Sequence, residues 1–276
     1  MILPHTTGSV PVMMVKTLAH LSDLHIGSGI AAEQTAERLC ARLLASQVDH
    51  VVVTGDMTHR GHRKDLLRFF EIFEPLHTTG RLTFVPGNHD RNGEDAGEHL
   101  MDGRRVIVES HPGLYLVRVD STGIHSRSVI ASHGVLNADM LRDIDNALSN
   151  APAGALVCVL VHHHMLPLPI ETFGEWVSMQ FGMPNHEELE LGEELLKLAR
   201  GRCDLILHGH RHTPKEWTYF PTDPRPLRIY NAGSSTELAR MRIFRHGLGN
   251  LVGLPHWHDG AKPPVPVRPA AGRLSA

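Results

Sequence analysis

The sequence predicts an α/β fold in which parallel β/α units at the front of the chain are backed by a second sheet. Three observations carry this. Three apolar runs of strand length alternate with helical spacing over the first 90 residues. Further short apolar runs follow in the second half, with helices between some of them. Polar residues able to hold a metal stand just past the ends of five of these runs, where open α/β sheets gather their active sites.

Taken in order, Val15 to Leu21 is the first strand, followed by a Ser-Asp-Leu-His loop and an Ala/Glu/Arg/Leu helix from about Ala31 to Ser46. His50 to Thr54 forms the second strand and ends in Gly55-Asp56. Lys64 to Leu76 has the three-to-four-residue apolar spacing of a helix. Leu82 to Val85 makes the third strand, closed by Pro86-Gly87-Asn88-His89-Asp90. Later strands are expected near Gly113 to Asp120, Leu156 to Val161, Leu205 to His208 and Leu227 to Tyr230. Helices are expected over Ala138 to Leu148, capped by Asn137, and over Glu187 to Ala199. Residues 1–13 read as a flexible leader, 14–260 as one catalytic domain, and 261–276 as a disordered Pro/Ala/Arg-rich tail.

Composition narrows the function. With 276 residues and 41% hydrophobic content the chain can bury one substantial core. A net charge of −3 provides no global attraction to nucleic acid or to an anionic membrane. No apolar run approaches the ~20 residues that cross a bilayer, and no signal peptide is evident. Cys40, Cys158 and Cys203 are scattered and lie in apolar surroundings, so they read as buried thiols in a reducing, cytoplasmic compartment. The 22 histidines carry meaning only through their positions.

Asp23 and His25 are two apart in an extended stretch, so both can point the same way, and the spacing recurs in His210 and His212. Asp56 closes the second strand and Asn88-His89 the third. His162 opens a run of three histidines past the strand Leu156 to Val161. Singly these motifs are weak, since Asp-x-His is common and Gly-Asp is usually an ordinary turn. Five strand-to-loop junctions carrying such residues together, with glycines at the tight turns, are not an ordinary coincidence. Nitrogen and oxygen donors of this kind suit Mn, Fe, Zn, Co or Ni better than Ca or Mg. Spacing alone does not choose among His162, His163 and His164.

The ordered blocks Asp23-Leu24-His25, Gly55-Asp56, Gly87-Asn88-His89-Asp90, His162-His163-His164 and Gly209-His210-Arg211-His212 resemble the signature of the calcineurin-like metallophosphoesterase superfamily. The resemblance spans about residues 15 to 235 and includes Asn231-Ala232-Gly233-Ser234. It implies a four-layer α/β/β/α sandwich of two mixed sheets, and two divalent metal ions, with Mn and Fe foremost. By position, one ion falls to Asp23, His25, Asp56 and His212. The other falls to Asp56, Asn88, His162 and His210, so that Asp56 bridges them. Such a pair lowers the pKa of a bound water and neutralises the entering and leaving oxygens, so that a metal-bound hydroxide attacks phosphorus. His89 is not a ligand in this pattern, and its place suits proton donation to a phosphate oxygen or the departing alkoxide. Asp90 either orients His89 or caps the turn. His163 and His164 either support the ligands or serve packing. His59 and His62 either touch substrate or, as is more usual for exposed loop histidines, are solvated, and His20, His50 and His208 read as structural.

Gly55-Asp56-Met57-Thr58 and the His-His-His-Met-Leu-Pro stretch are similar to the cyclic-nucleotide phosphodiesterase branch of class III, which implies a small phosphodiester substrate of the cyclic-nucleotide or glycerophosphodiester type. Met165 and Leu166 depart from that branch, whose members carry Pro close behind the histidines. Residues 165–186, with Phe173, Trp176 and Phe181, either cap the core, wall the pocket or pack against a second subunit of a homo-oligomer. The alternatives are a DNA exonuclease of the same superfamily and a non-catalytic metal-bound scaffold. The exonuclease is opposed by the acidic charge and by the lack of interleaved basic and aromatic residues. The scaffold is opposed by a complete ligand set with His89 beside it.

Overall fold

The computed structural model describes residues 14–123, 133–165 and 189–260. The expected leader, the tail and most of 165–186, with the start of the helix expected from Glu187, lie outside the described residues.

Two six-stranded mixed sheets pack face to face. In the first, β1 (Lys16–Leu21), β2 (His50–Thr54) and β3 (Leu82–Val85) run parallel. The second contains β4 (Val106–His111), β5 (Leu114–Val119), β6 (Leu156–Leu160), β7 (Leu205–His208), β8 (Lys215–Tyr219) and β9 (Leu227–Asn231), in the order β4-β5-β6-β7-β9-β8. Its four inner strands are parallel and its edges antiparallel. The chain then returns to the first sheet. Strand β10 (Arg240–Gly247) pairs antiparallel with β1, while β11 (Asn250–Leu251) and β12 (His256–Asp259) pair with β10.

Strand periodicity builds four layers from these sheets. Leu18 and Val52 turn inward to meet Leu156, Cys158, Leu160, Leu205 and Leu207 in the core between the sheets. Their neighbours Ala19, Leu21, Val51 and Val53 turn outward under Leu39 and Leu43 of α1 (Ile30–Ala45) and Phe69 of α2 (Arg63–Ile72). A one-turn helix, α3 (Glu74–His77), follows α2. On the other side Val157, Val159 and Ile206 lie under α4 (Ala138–Ser149) and α5 (Gly192–Ala199). Asn137 caps α4 as its sequence predicts, its side-chain oxygen accepting from Met140 N at 2.9 Å. A short helix, α6 (Ser235–Leu238), follows β9. Burying each of these Leu or Val side chains contributes about 2 kcal/mol, enough to hold the strand ends, and what they carry, rigidly in place.

Candidate metal centre

The parallel pairing of β1 and β2 does not stop where the strands end. Asp23 N donates to Gly55 O at 3.1 Å, His25 N to Asp56 O at 3.0 Å and Ile26 N to Met57 O at 2.9 Å. This ladder sets Asp23, His25 and Asp56 side by side. It does so in left-handed backbone, with φ of 52°, 48° and 50°, and His210 at 71°. A left-handed conformation is uncommon for residues bearing a β-carbon, and it collects at functional sites. Glycines make the close approaches. A Cβ on Gly55 would strike the His162 ring, and one on Gly87 would strike Asp56.

All seven residues expected to hold metal converge. His25 Nε2 and His212 Nε2 are 3.1 Å apart, and His212 Nε2 lies 3.8 Å from Asp23 Oδ1. Asn88 Oδ1 is 3.0 Å from His162 Nε2 and 3.1 Å from His210 Nδ1. Asp56 Oδ2 stands between these two groups, 3.9 Å from His25 Nε2 and 3.4 Å from His162 Nε2. The triplets Asp23/His25/His212, Asp23/Asp56/His162 and His162/His163/His210 each present donor atoms within 4.8 Å of one another.

The electrostatics fit a cation. Burial pushes the Asp23 carboxyl up to about 6 and the His25 imidazole down to about 3, and holds His210 well below its ordinary value. The neutral imidazoles of His25 and His210 therefore keep lone pairs for a metal. Burial alone would also raise Asp56, yet the charge and hydrogen bond of His162 hold its carboxyl well below the usual range. Burial opposes charge on His162 in turn, but Asp56 lifts it to about 9. The buried carboxylate thus demands a positive partner, a place that either the His162 proton or a metal ion fills.

Surrounding contacts fix these groups. His162 Nδ1 donates to Thr54 O at 2.7 Å, turning Nε2 into the cluster. Ser234 Oγ donates to Asp23 O at 2.9 Å, and Ser235 N donates to Ser22 O at 2.9 Å. This gives the Asn231 to Ser234 block a physical role in holding the first loop. Asp90 accepts from Gly87 N at 2.9 Å and from Thr58 N at 2.8 Å, so it clamps two loops and fits the turn-capping alternative. His163 bonds Ser121 Oγ at 2.7 Å and His164 stacks on His210, both buried. His20, His50 and His208, read from the sequence as structural, are all buried.

A cavity of about 440 Å³ opens beside His25, His89 and His212. Sequence reasoning missed several of its lining residues. Ser28, Ala31, Ala32 and Thr35 come from the loop before α1 and the helix itself, and Thr236 and Glu237 from α6. No motif signals a small residue on a helix flank. Glu237 Oε1 lies 3.1 Å from His212 Nδ1. His59 lines the cavity, as its substrate-contact alternative requires, with its ring stacked on His89 at 5.7 Å between centroids. The cause is backbone pairing, since His59 N donates to Ile26 O at 2.9 Å and draws the loop inward. His62 points elsewhere, 3.8 Å from Glu94.

Two sheets carrying a carboxylate, imidazole and carboxamide cluster at their strand ends define a class of metal-dependent hydrolases. The chain belongs to the calcineurin-like phosphoesterase family, whose sequence model matches residues 16–214. By that membership it is a hydrolase of phosphoric esters that uses divalent metal ions. It is 26% identical over 232 residues to a probable cyclic nucleotide phosphodiesterase of Pseudoalteromonas sp., covering 79% of this chain and 78% of that one. It is 24% identical to a 3',5'-cyclic adenosine monophosphate phosphodiesterase of Haemophilus influenzae, over 66% of this chain and 61% of the relative. In three dimensions a dimetal phosphatase from Danio rerio superposes with a TM-score of 0.59 at 13% identity, over 87% of this chain and 98% of the other, a likeness of fold. No helix among the described residues is long and apolar enough to cross a membrane.

Proposed function

We propose that the chain hydrolyses small phosphodiesters, of cyclic-nucleotide or glycerophosphodiester type, at a pair of divalent cations. Asp23, His25, Asp56 and His212 would hold one ion, and Asp56, Asn88, His162 and His210 the other. The observation that carries this reading is Asp56 Oδ2, set between His25 Nε2 at 3.9 Å and His162 Nε2 at 3.4 Å, as a shared ligand requires. When bound, the cations supply Lewis acidity toward the phosphate and an activated water. The donor set suits Mn, Fe, Zn, Co or Ni, and the family resemblance puts Mn and Fe foremost among them.

His89 handles the proton. Its Nδ1 lies 2.7 Å from the carbonyl of His59, which can only accept, so Nδ1 carries a hydrogen and Nε2 is left for substrate. The protonated ring donates from Nε2 to a phosphate oxygen or to the departing oxygen. Its backbone N donates to Asp56 Oδ1 at 2.8 Å, which ties this proton donor to the carboxylate shared by both halves of the cluster.

The cavity favours a diester. Among the described residues its lining holds one carboxylate, Glu237, and no Arg or Lys. Beside the cations, Glu237 repels a phosphomonoester dianion more strongly than a singly charged diester. The names of the Pseudoalteromonas and Haemophilus relatives support the same substrate class. Three buried free thiols, Cys40, Cys158 and Cys203, support a reducing cytoplasmic setting.

The test is hydrolysis of bis(p-nitrophenyl) phosphate, cyclic AMP and single-stranded DNA by metal-free protein, with Mn, Fe, Zn and Mg restored in turn. Metal-restored cleavage of the small diesters, and not of DNA, is expected. Cleavage of DNA would establish the exonuclease instead, and silence on all three with metal bound would point to a narrow substrate outside this set or to the scaffold.

A further inference from the structure

A second donor cluster lies at the other end of the sandwich, where β2 begins and β4 ends. His50, Glu109 and His111 meet there across the gap between the sheets, each offering a ligand atom within 4.8 Å of the others. His50 and Thr54 are the two ends of β2, so roughly 13 Å of extended chain separates this cluster from the strand-end loops. It shares no residue with them.

The cluster has the features of a site and not merely of a polar plug. The two imidazole rings are 4.1 Å apart. His111 Nε2 is buried and faces Glu109 Oε2 at 3.5 Å, at the long limit of a hydrogen bond. A buried nitrogen so weakly engaged is better satisfied by a bound cation. Glu109 is already oriented. Arg118 Nη1 donates to its Oε1 at 2.7 Å, and the Thr83 hydroxyl donates to its Oε2. Thr83 Oγ1 is in turn 2.8 Å from His50 Nε2. Ligating carboxylates and imidazoles in metal sites are characteristically held by outer partners of this kind. Burial keeps His50 neutral, pushing it down to about 4, so its ring retains a lone pair.

We propose that His50, Glu109 and His111 bind a divalent transition-metal ion of the zinc, cobalt or nickel type, separate from the strand-end centre. Two imidazoles and one carboxylate form a three-residue donor set of the kind that such ions accept, with a fourth position left for water or an anion. The fourth ligand has room. A cavity of about 190 Å³ adjoins His50 and His111, with Lys16, Arg81 and Asp49 as the charged residues of its lining. Arg118 sits on the carboxylate oxygen away from His111 and lowers the negative charge available to the ion, so binding rests chiefly on the imidazoles.

The experiment compares full-length wild-type protein with His111→Ala after loading with excess Zn²⁺ and desalting, with metal per chain measured by plasma mass spectrometry. The wild type is expected to retain one ion per chain more than His111→Ala, while the phosphodiester hydrolysis of the variant matches wild type. Because the result is a difference, it is read the same way whatever number of ions the strand-end centre holds. Its failure is therefore distinct from failure of the two-cation reading. Equal metal content in the two proteins would overturn the proposal and leave the cluster as a polar tie between sheets. Should the variant not fold, Co²⁺ titration of the wild type gives the same decision. Paramagnetic broadening of the His50 and His111 ring signals is expected, and its absence at saturating Co²⁺ sinks the proposal.

Discussion

Gly55→Ala probes how tightly the centre depends on its backbone. Gly55 has φ of +90°, and a Cβ there would overlap the His162 ring while lying 2.9 Å from the Cα of Gly87. The left-handed conformation costs a residue with a β-carbon about 1–3 kcal/mol. Relieving the overlap by shifting His162 or the Gly87 loop costs roughly another 1–3 kcal/mol, the usual range for overpacking. The two act on one site, so the loss should be about 4 kcal/mol in total. A large part of a domain's net stability of about 5–15 kcal/mol would go. Since the atoms displaced are those of His162 and Gly87, metal content and turnover should fall with stability. Denaturant titration of the metal-free proteins, with metal analysis of the loaded ones, measures both. A loss under about 1 kcal/mol with unchanged metal content would refute the claim that the close approach of Gly55 positions His162.

Other expectations follow from the same contacts. His89→Ala should lower turnover by about 10²- to 10⁴-fold, the usual worth of a general acid, with metal content retained; loss of the metals together with turnover would make His89 a structural residue. Arg118→Ala should destabilise the fold by about 3–5 kcal/mol, because Arg118 pairs with Glu109 at 2.7 Å and also donates to Phe84 O and Leu100 O; a loss below about 1 kcal/mol in denaturant would contradict this. Burial alone would raise the Glu109 carboxyl, but Thr83 and Arg118 hold it below the ordinary range. A group depressed on folding contributes stability above its unfolded value of about 4.3, and that stability is lost as pH falls through the folded value. Wild-type stability should therefore fall with acid below that point, and Glu109→Gln should flatten that part of the profile; parallel profiles would exclude the linkage.

Much of the first sheet was legible because β1, β2 and β3 are short, largely apolar runs, most of whose residues are buried. The ligand candidates were legible for a related reason. A hydrophobic strand that breaks into Asp, Asn or His marks its own carboxyl end, and five such ends must meet once the strands lie parallel. Strand β10 escaped notice although it is hydrogen-bonded to β1, because Arg240, Arg242 and Arg245 interrupt its apolar residues. In the fold Arg242 is buried between the rings of Trp257 and Tyr230 and donates to Glu216 at 2.9 Å. Its burial depends on groups brought together only by the return of the chain, which no local pattern encodes. β4 and β8 mix half-buried and exposed positions along sheet edges, a weak signal over five or six residues. The same limit applies to the cavity. Glu237 and the flank of α1 gain meaning only from the packing of α6 beside α1, and His59 only from the backbone pairing that follows the strand ends.

The central claim is that Asp56 is shared by two cations. The most direct test is an anomalous difference map from crystals of the protein grown with Mn²⁺. Two peaks are predicted on either side of the Asp56 carboxylate, one beside His25 and His212 and one beside His162 and His210. A single peak, or none at Asp56, would contradict the account.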